Sequence, residues 1–136
     1  MPEKEGRLTK SLEDYLEAIY LIELEGKTAR IKNIADKVKV KLPSATEAVK
    51  KLSKMGLVEY ERYGPVRLTS EGKRLASRIR HVHEVLFRFL HDILGVDEEV
   101  ANEDACKIEH FLHPSTVEKL VEFLEKHLEV KPKHES

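Results

Sequence analysis

Apolar residues in the first third of the chain recur at steps of three and four. Leu12, Tyr15, Leu16, Ile19 and Ile22 form one helical stripe, opening at Ser11 and ending at Gly26. Ser11-x-x-Asp14 has the form of a capping box for that helix. A shorter helix follows over Ala29–Val38, with Ile31, Ile34, Ala35 and Val38 facing inward. After the turn Lys39–Leu42, Pro43 suits a first helical position and opens a third helix, closed by Gly56. Ala45, Ala48, Val49 and Leu52 make its inner stripe, leaving Ser44, Thr46, Glu47, Lys50, Lys51 and Lys54 outward. Leu57–Arg62 then reads as a strand, Tyr63-Gly64-Pro65 as a turn and Val66-Arg67-Leu68 as the returning strand, with Thr69 or Ser70 capping what comes next. Three helices and a two-stranded hairpin in this order describe a winged helix-turn-helix. The helix opened by Pro43 is the one expected to enter a major groove.

Beyond the hairpin the pattern is helical throughout. Leu75, Ile79, Val82, Leu86, Phe89 and Ile93 sustain one long helix from Glu71 to about Leu94, stopped by Gly95. Asp97 starts another, with Val100, Ala105, Ile108 and Leu112 inward, broken at His113-Pro114. Ser115-x-x-Glu118 reads as the capping box of a last helix carrying Val117, Leu120, Val121, Leu124 and Leu128. Residues 1–8 and the tail after Val130 are expected to be loose. The fold class is therefore mainly α: a winged helix-turn-helix over residues 1–70, followed by an α-helical domain over 71–136. Three amphipathic helices in so small a second domain expose more apolar face than they can cover, so a homodimer is expected. A twofold dimer also carries two recognition helices one turn of duplex apart.

Composition changes this picture in three ways. Charged residues make up 36% of the 136, so most helix faces are solvated, while 40% hydrophobic residues suffice for a core. The chain has no Gln and only two Asn, Asn33 and Asn102, beside abundant Lys and Glu, a bias that resembles thermophile proteins. The net charge of -1 hides a segregation: Lys37 to Lys54 holds six lysines against Glu47, and Glu98 to Glu109 holds five carboxylates against Lys107. A local basic patch is what a polyanion meets, so double-stranded DNA is the expected partner of the first stretch. A single Cys excludes an internal disulfide and fits a cytoplasmic protein. No apolar run is long enough to span a membrane and no signal peptide opens the chain, so no membrane partner is expected.

The acidic stretch carries the candidate chemistry. Cys106, Glu109 and His110 are three and four residues apart and share a helix face that offers a thiol, a carboxylate and an imidazole. An acidic surface turn with one buried Cys would look the same. Asp14 and Glu17, three apart, lie off the apolar stripe of the first helix, although a carboxylate in a first turn has a purely structural use. His83 lies within the long helix; a surface or half-buried histidine is the plain alternative, and His81, His91 and His113 fit no ligand spacing as well. Spacing does not bring the three helices together. If they met, the carboxylates and the thiol would repel one another unless protons or cations neutralised them.

Longer motifs add to this. Ser11-Leu-Glu-Asp-Tyr-Leu-Glu-Ala-Ile-Tyr20, Ile34-Ala-Asp36, Pro43-Ser44, Leu68-Thr-Ser-Glu-Gly72, His83-Glu84, Gly95-Val-Asp97 and Asp104-Ala-Cys-Lys-Ile-Glu-His110 together resemble the metal-dependent repressors of the diphtheria-toxin-repressor and manganese-transport-regulator type (DtxR/MntR), from about Thr9 to Leu128. The resemblance implies metal ligands at Asp14, Glu17, His83, Cys106, Glu109 and His110, and Mn2+ or Fe2+ as cofactor, one or two per subunit. Cys106 departs from the manganese branch, where Glu is usual, and Asp14 departs from the iron branch, where Met is usual. Phe87 and Asn102 stand where the iron branch's ancillary site has a carboxylate and a His, and the third domain of longer members has no counterpart here. Glu47 replaces a longer amide side chain that often reads bases.

The reading is a transcriptional regulator rather than an enzyme, a repressor of metal-uptake genes that binds operator DNA once metal fixes the spacing of two recognition helices. Ser44, Thr46 and Glu47 are expected near base edges, Lys41, Lys50, Lys51 and the wing residue Arg62 or Arg67 near phosphates, and Pro43 is counted with them among the DNA-binding residues. A small metalloenzyme is the alternative from another class, but no general base is evident near the cluster and it has no use for the lysine patch. A winged-helix regulator switched by redox at Cys106, or by an organic ligand, is the third reading.

Overall fold

A computed structural model describes residues 8–127, which fall into two compact units divided between Ala76 and Ser77. Most of residues 1–8, Leu128 and the tail after Val130, all given expectations above, lie outside the described residues.

In the first unit, α1 spans Lys10–Leu24, α2 Ile31–Val38 and α3 Leu42–Lys54, followed by β1 Val58–Tyr60 and β2 Val66–Leu68. Tyr15, Leu16, Ala18, Ile19 and Ile22 of α1 are buried against Ile34 and Ala35 of α2 and Ala45, Ala48, Val49 and Leu52 of α3. The strands pair antiparallel with Val58 opposite Leu68 and Tyr60 opposite Val66, their inward side chains joining that core. Ala29, expected to open α2, instead bridges to Val66, whose N–H donates to Ala29 O at 2.8 Å. Asn33 explains the later helix start. Its Oδ1 accepts from Arg30 N–H (2.6 Å) while its amide donates to Thr28 O (3.2 Å). The cap of α1 is Thr9, whose hydroxyl accepts from Leu12 N–H at 3.1 Å. The box expected at Ser11 and Asp14 therefore lies inside the helix, and Asp14 pairs with Lys10 at 3.5 Å.

Thr69 joins the wing to the next helix, α4, which runs Ser70–Arg88 through the division between the units. The Thr69 hydroxyl donates to Gly56 O (2.7 Å) and accepts from Gly72 N–H (3.0 Å), and its backbone N–H donates to Leu57 O. Gly72 has no side chain because there is no room for one: a Cβ would stand 2.0 Å from the Leu57 carbonyl oxygen.

The second unit is built from the rest of α4, a π-helical segment Phe89–Ile93, α5 Glu98–Phe111 and α6 Pro114–His127. Val82, Val85, Leu86, Ala105, Val117, Val121 and Leu124 make its core. Three expectations change here. The long helix does not continue as α through Ile93; Leu94 N–H reaches back five residues to Phe89 O. The widened turn carries the apolar stripe out of phase, and Ile93 is 57% exposed. In α5 the inward stripe is Ala101, Ala105 and Ile108, while Val100 and Leu112 are exposed. Small alanines there let α5 lie close to its neighbours. Finally, α6 starts at Pro114, with Val117 N–H bonded to His113 O, so Ser115 is already helical and is not the cap.

Candidate functional site

On α5, Asn102, Cys106 and Glu109 lie at steps of four and three and form one stripe. That stripe faces His83 of α4, and the ligating atoms of His83, Cys106 and Glu109 all lie within 4.8 Å of one another. His83 Nδ1 is 3.6 Å from Glu109 Oε1, and the Glu109 side chain is only 9% exposed. The other ring nitrogen, Nε2, lies 2.8 Å from Asn102 Oδ1. A nitrogen, a sulfur and an oxygen have thus been brought together from two helices. Donors bound to one transition-metal ion at about 2.0–2.3 Å lie roughly 3.3–3.8 Å apart at tetrahedral angles, so side-chain shifts on the order of an ångström bring these three onto one ion. The donor set fits a divalent transition metal of borderline softness.

Three further candidates are not among these three donors. His110 is half-buried on α5, about 100° round the helix from Glu109, and its imidazole is not among the three converged donors. Asp14 and Glu17 belong to α1 in the first unit, both half-buried. His81, which fits no ligand spacing, is buried and bonded to Glu125 of α6. Two residues from His83 along the helix, it points away from the converged donors, by the same 100°-per-residue geometry.

The first unit holds the candidate nucleic-acid interface. Along α3 the buried alanines and Leu52 leave Pro43, Ser44, Glu47, Lys50 and Lys51 exposed, with Thr46 half-buried and Lys41 exposed at the cap position. An open groove between α3 and the wing is lined by Thr46, Lys50, Tyr60, Arg62 and Tyr63, and Arg30 and Lys32 also line it. At the wing tip the Arg62 guanidinium lies 5.0 Å over the ring of Tyr63, which is 84% exposed. Arg67 stands elsewhere. It is opposite Glu59 across the hairpin and lines a separate recess with Glu23, Lys27 and Lys73. Of the two wing arginines left open by the sequence, Arg62 shares a groove with the recognition helix. No helix among the described residues is long and apolar enough to cross a membrane.

A winged helix-turn-helix followed by a helical unit with converged nitrogen, sulfur and oxygen donors defines a class: DNA-binding transcriptional regulators that respond to metal. Residues 7–66 match the family model described as the iron dependent repressor, N-terminal DNA binding domain, and residues 69–136 match its metal binding and dimerisation domain. An HTH-type transcriptional regulator of Methanocaldococcus jannaschii is 38% identical over 120 residues, covering 88% of this chain and 96% of that protein. The HTH-type transcriptional regulator MntR of Bacillus subtilis is 40% identical over 112 residues, covering 82% and 78%. Among solved structures, the manganese regulator SloR superposes with a TM-score of 0.70 at 32% identity over 90% of this chain. The chain spans only about half (54%) of that longer protein. The protein belongs to the iron-dependent repressor (DtxR/MntR) family, and is a metal-dependent, DNA-binding transcriptional regulator rather than an enzyme.

Proposed function

We propose that this regulator is a cytoplasmic homodimer that represses metal-uptake genes by binding operator DNA when loaded with Mn2+ or Fe2+, one or two ions per subunit. Residues 1–70 would read DNA, and residues 71–136 would hold metal and the partner subunit. The observation that carries the reading is the convergence of His83, Cys106 and Glu109 in a unit that follows a winged helix. His110, Asp14 and Glu17 complete the proposed ligand set on the family resemblance. A bound ion supplies the positive charge that such a group of donors lacks. Holding ligands of both units, it would restrict the spacing of the two recognition helices and remove wrongly spaced states, which raises affinity for a two-half-site operator. A homodimer is supported by apolar side chains left uncovered in the second unit, Phe111, Leu94, Ile93 and Phe123 among them.

On the DNA side, Ser44, Thr46 and Glu47 are proposed to approach base edges, with Pro43 beside them at the start of the helix. Lys41, Lys50, Lys51 and Arg62 would approach phosphates, with Arg67 a lesser contributor because it lines a different recess. The Cys106 thiol favours Fe2+ on softness, while carboxylate and imidazole donors accept Mn2+ equally. A manganese regulator among the similar structures supports the latter. A gel-shift with candidate operator DNA and Mn2+ or Fe2+ tests the reading. Metal-dependent retardation is expected, lost in Glu109→Ala and His110→Ala while the dimer persists. Retardation independent of metal would overturn it.

A further inference from the structure

Asn102 is one of only two asparagines in the chain, and it is spent on the exposed face of α5 in contact with His83. A neutral imidazole carries one proton, and only the nitrogen without it can ligate a metal. Asn102 Oδ1 is an acceptor, so at 2.8 Å from it a proton on His83 Nε2 makes the hydrogen bond, and this contact is shorter than the 3.6 Å from Nδ1 to the Glu109 carboxylate. In that tautomer the lone pair is on Nδ1, the nitrogen 3.6 Å from Glu109 Oε1. Were the tautomer reversed, the Nε2 lone pair would face the Asn102 oxygen and Nδ1–H would occupy the space between the donors. We propose that Asn102 is a positioning residue for metal capture: it holds His83 in the Nε2–H tautomer, so that Nδ1 is the ligand and the Nε2 side is closed to a second ion.

This rests on the reading of His83, Cys106 and Glu109 as a metal centre, and it adds to that reading a residue that touches no ion. Partners that hold the far nitrogen of a ligating histidine are typically worth roughly 10–100-fold in metal affinity; Asn102 is exposed, where water competes, so the low end of about tenfold is expected. The same chemistry separates acceptor from donor. Asn102→Asp keeps an oxygen facing Nε2, whereas Asn102→Leu keeps only the bulk.

Long-range nitrogen–proton NMR correlations of the metal-free full chain read the His83 tautomer directly, and calorimetric titration with MnCl2 reads affinity. The wild type should show Nε2–H, and Asn102→Asp should retain it with near-normal affinity. Asn102→Leu should populate both tautomers and bind Mn2+ about tenfold more weakly, with an unchanged helical circular dichroism spectrum. An Nδ1–H wild type, or an Asn102→Leu protein with unaltered tautomer and affinity, overturns the proposal. His83→Ala separates the two levels: if it too binds Mn2+ normally, the metal centre itself is misassigned, whereas if it binds weakly only the role of Asn102 is at fault.

Discussion

Replacing Glu109 by Gln removes a charge from the converged donors while keeping shape, and its effect on stability can be worked through. Glu109 is 9% exposed at its side chain, close to a thiol and an imidazole that also offer lone pairs. With His83 neutral, no positive charge in that set offsets the carboxylate, so the metal-free variant should then be no less stable than the wild type. The loaded proteins should differ sharply. An ion at a hundred times its Kd stabilises the native state by about 2.7 kcal/mol. For a domain of roughly 60–100 residues each kcal/mol moves Tm by about 4–8 °C, so a second unit of residues 77–136 should gain about 10–20 °C. Removing a charged ligand weakens binding at least as much as removing a partner behind one, at roughly 100-fold. At the same ion concentration that leaves about 0.4 kcal/mol, or about 2–3 °C. Scanning calorimetry with and without Mn2+, at one protomer concentration, measures both differences. A Glu109→Gln protein that keeps the full metal-induced rise would refute the assignment of Glu109 as a ligand. One whose metal-free Tm falls by several degrees would refute the electrostatic argument.

Three other outcomes follow from the packing. Gly72→Ala puts a methyl 2.0 Å from a carbonyl oxygen already committed to Thr69 N–H, and should cost about 3 kcal/mol in urea unfolding of the first unit; an unshifted midpoint would show the junction to be pliable. Arg62→Ala and Lys50→Ala should each lower the slope of log K against log salt for operator binding by about 0.9, and Arg67→Ala should not; equal slopes for Arg62→Ala and Arg67→Ala would remove the distinction drawn between the two sides of the hairpin. Glu125→Ala strips buried His81 of its carboxylate partner and should cost about 1–3 kcal/mol without changing Mn2+ affinity; a lost metal response would instead place this pair in the metal centre.

Periodicity is a local property, and wherever one helix face decides burial the sequence by itself determined the result. The stripes of α1, α3 and α6, the hairpin around Tyr63-Gly64-Pro65 and the outward lysines of α3 are all readable from steps of three, four and two. Helix boundaries were less legible, because caps are settled by competing backbone donors. Thr9 and Pro114 displaced the serines whose spacing looked right. The π-helical turn was invisible for a related reason: one extra residue in a turn changes no residue type, only the phase of everything after it.

Chemistry between helices belonged to the tertiary structure. Spacing put Cys106, Glu109 and His110 on one face with equal claim, and packing brings Cys106 and Glu109 together with His83 of α4. It gave His81 and His83, two residues apart, opposite partners, Glu125 of α6 and Asn102 of α5. In one dimension Asn102 stood out only as a position where the iron branch has a His; its contact with His83 was not legible, since an amide matters through the atom it faces. The sequence determines which groups are available and on which face of their own helix; whether a lone pair meets a proton, a carboxylate or an ion is decided by distances of a few ångströms between helices, and those exist only once the core has packed.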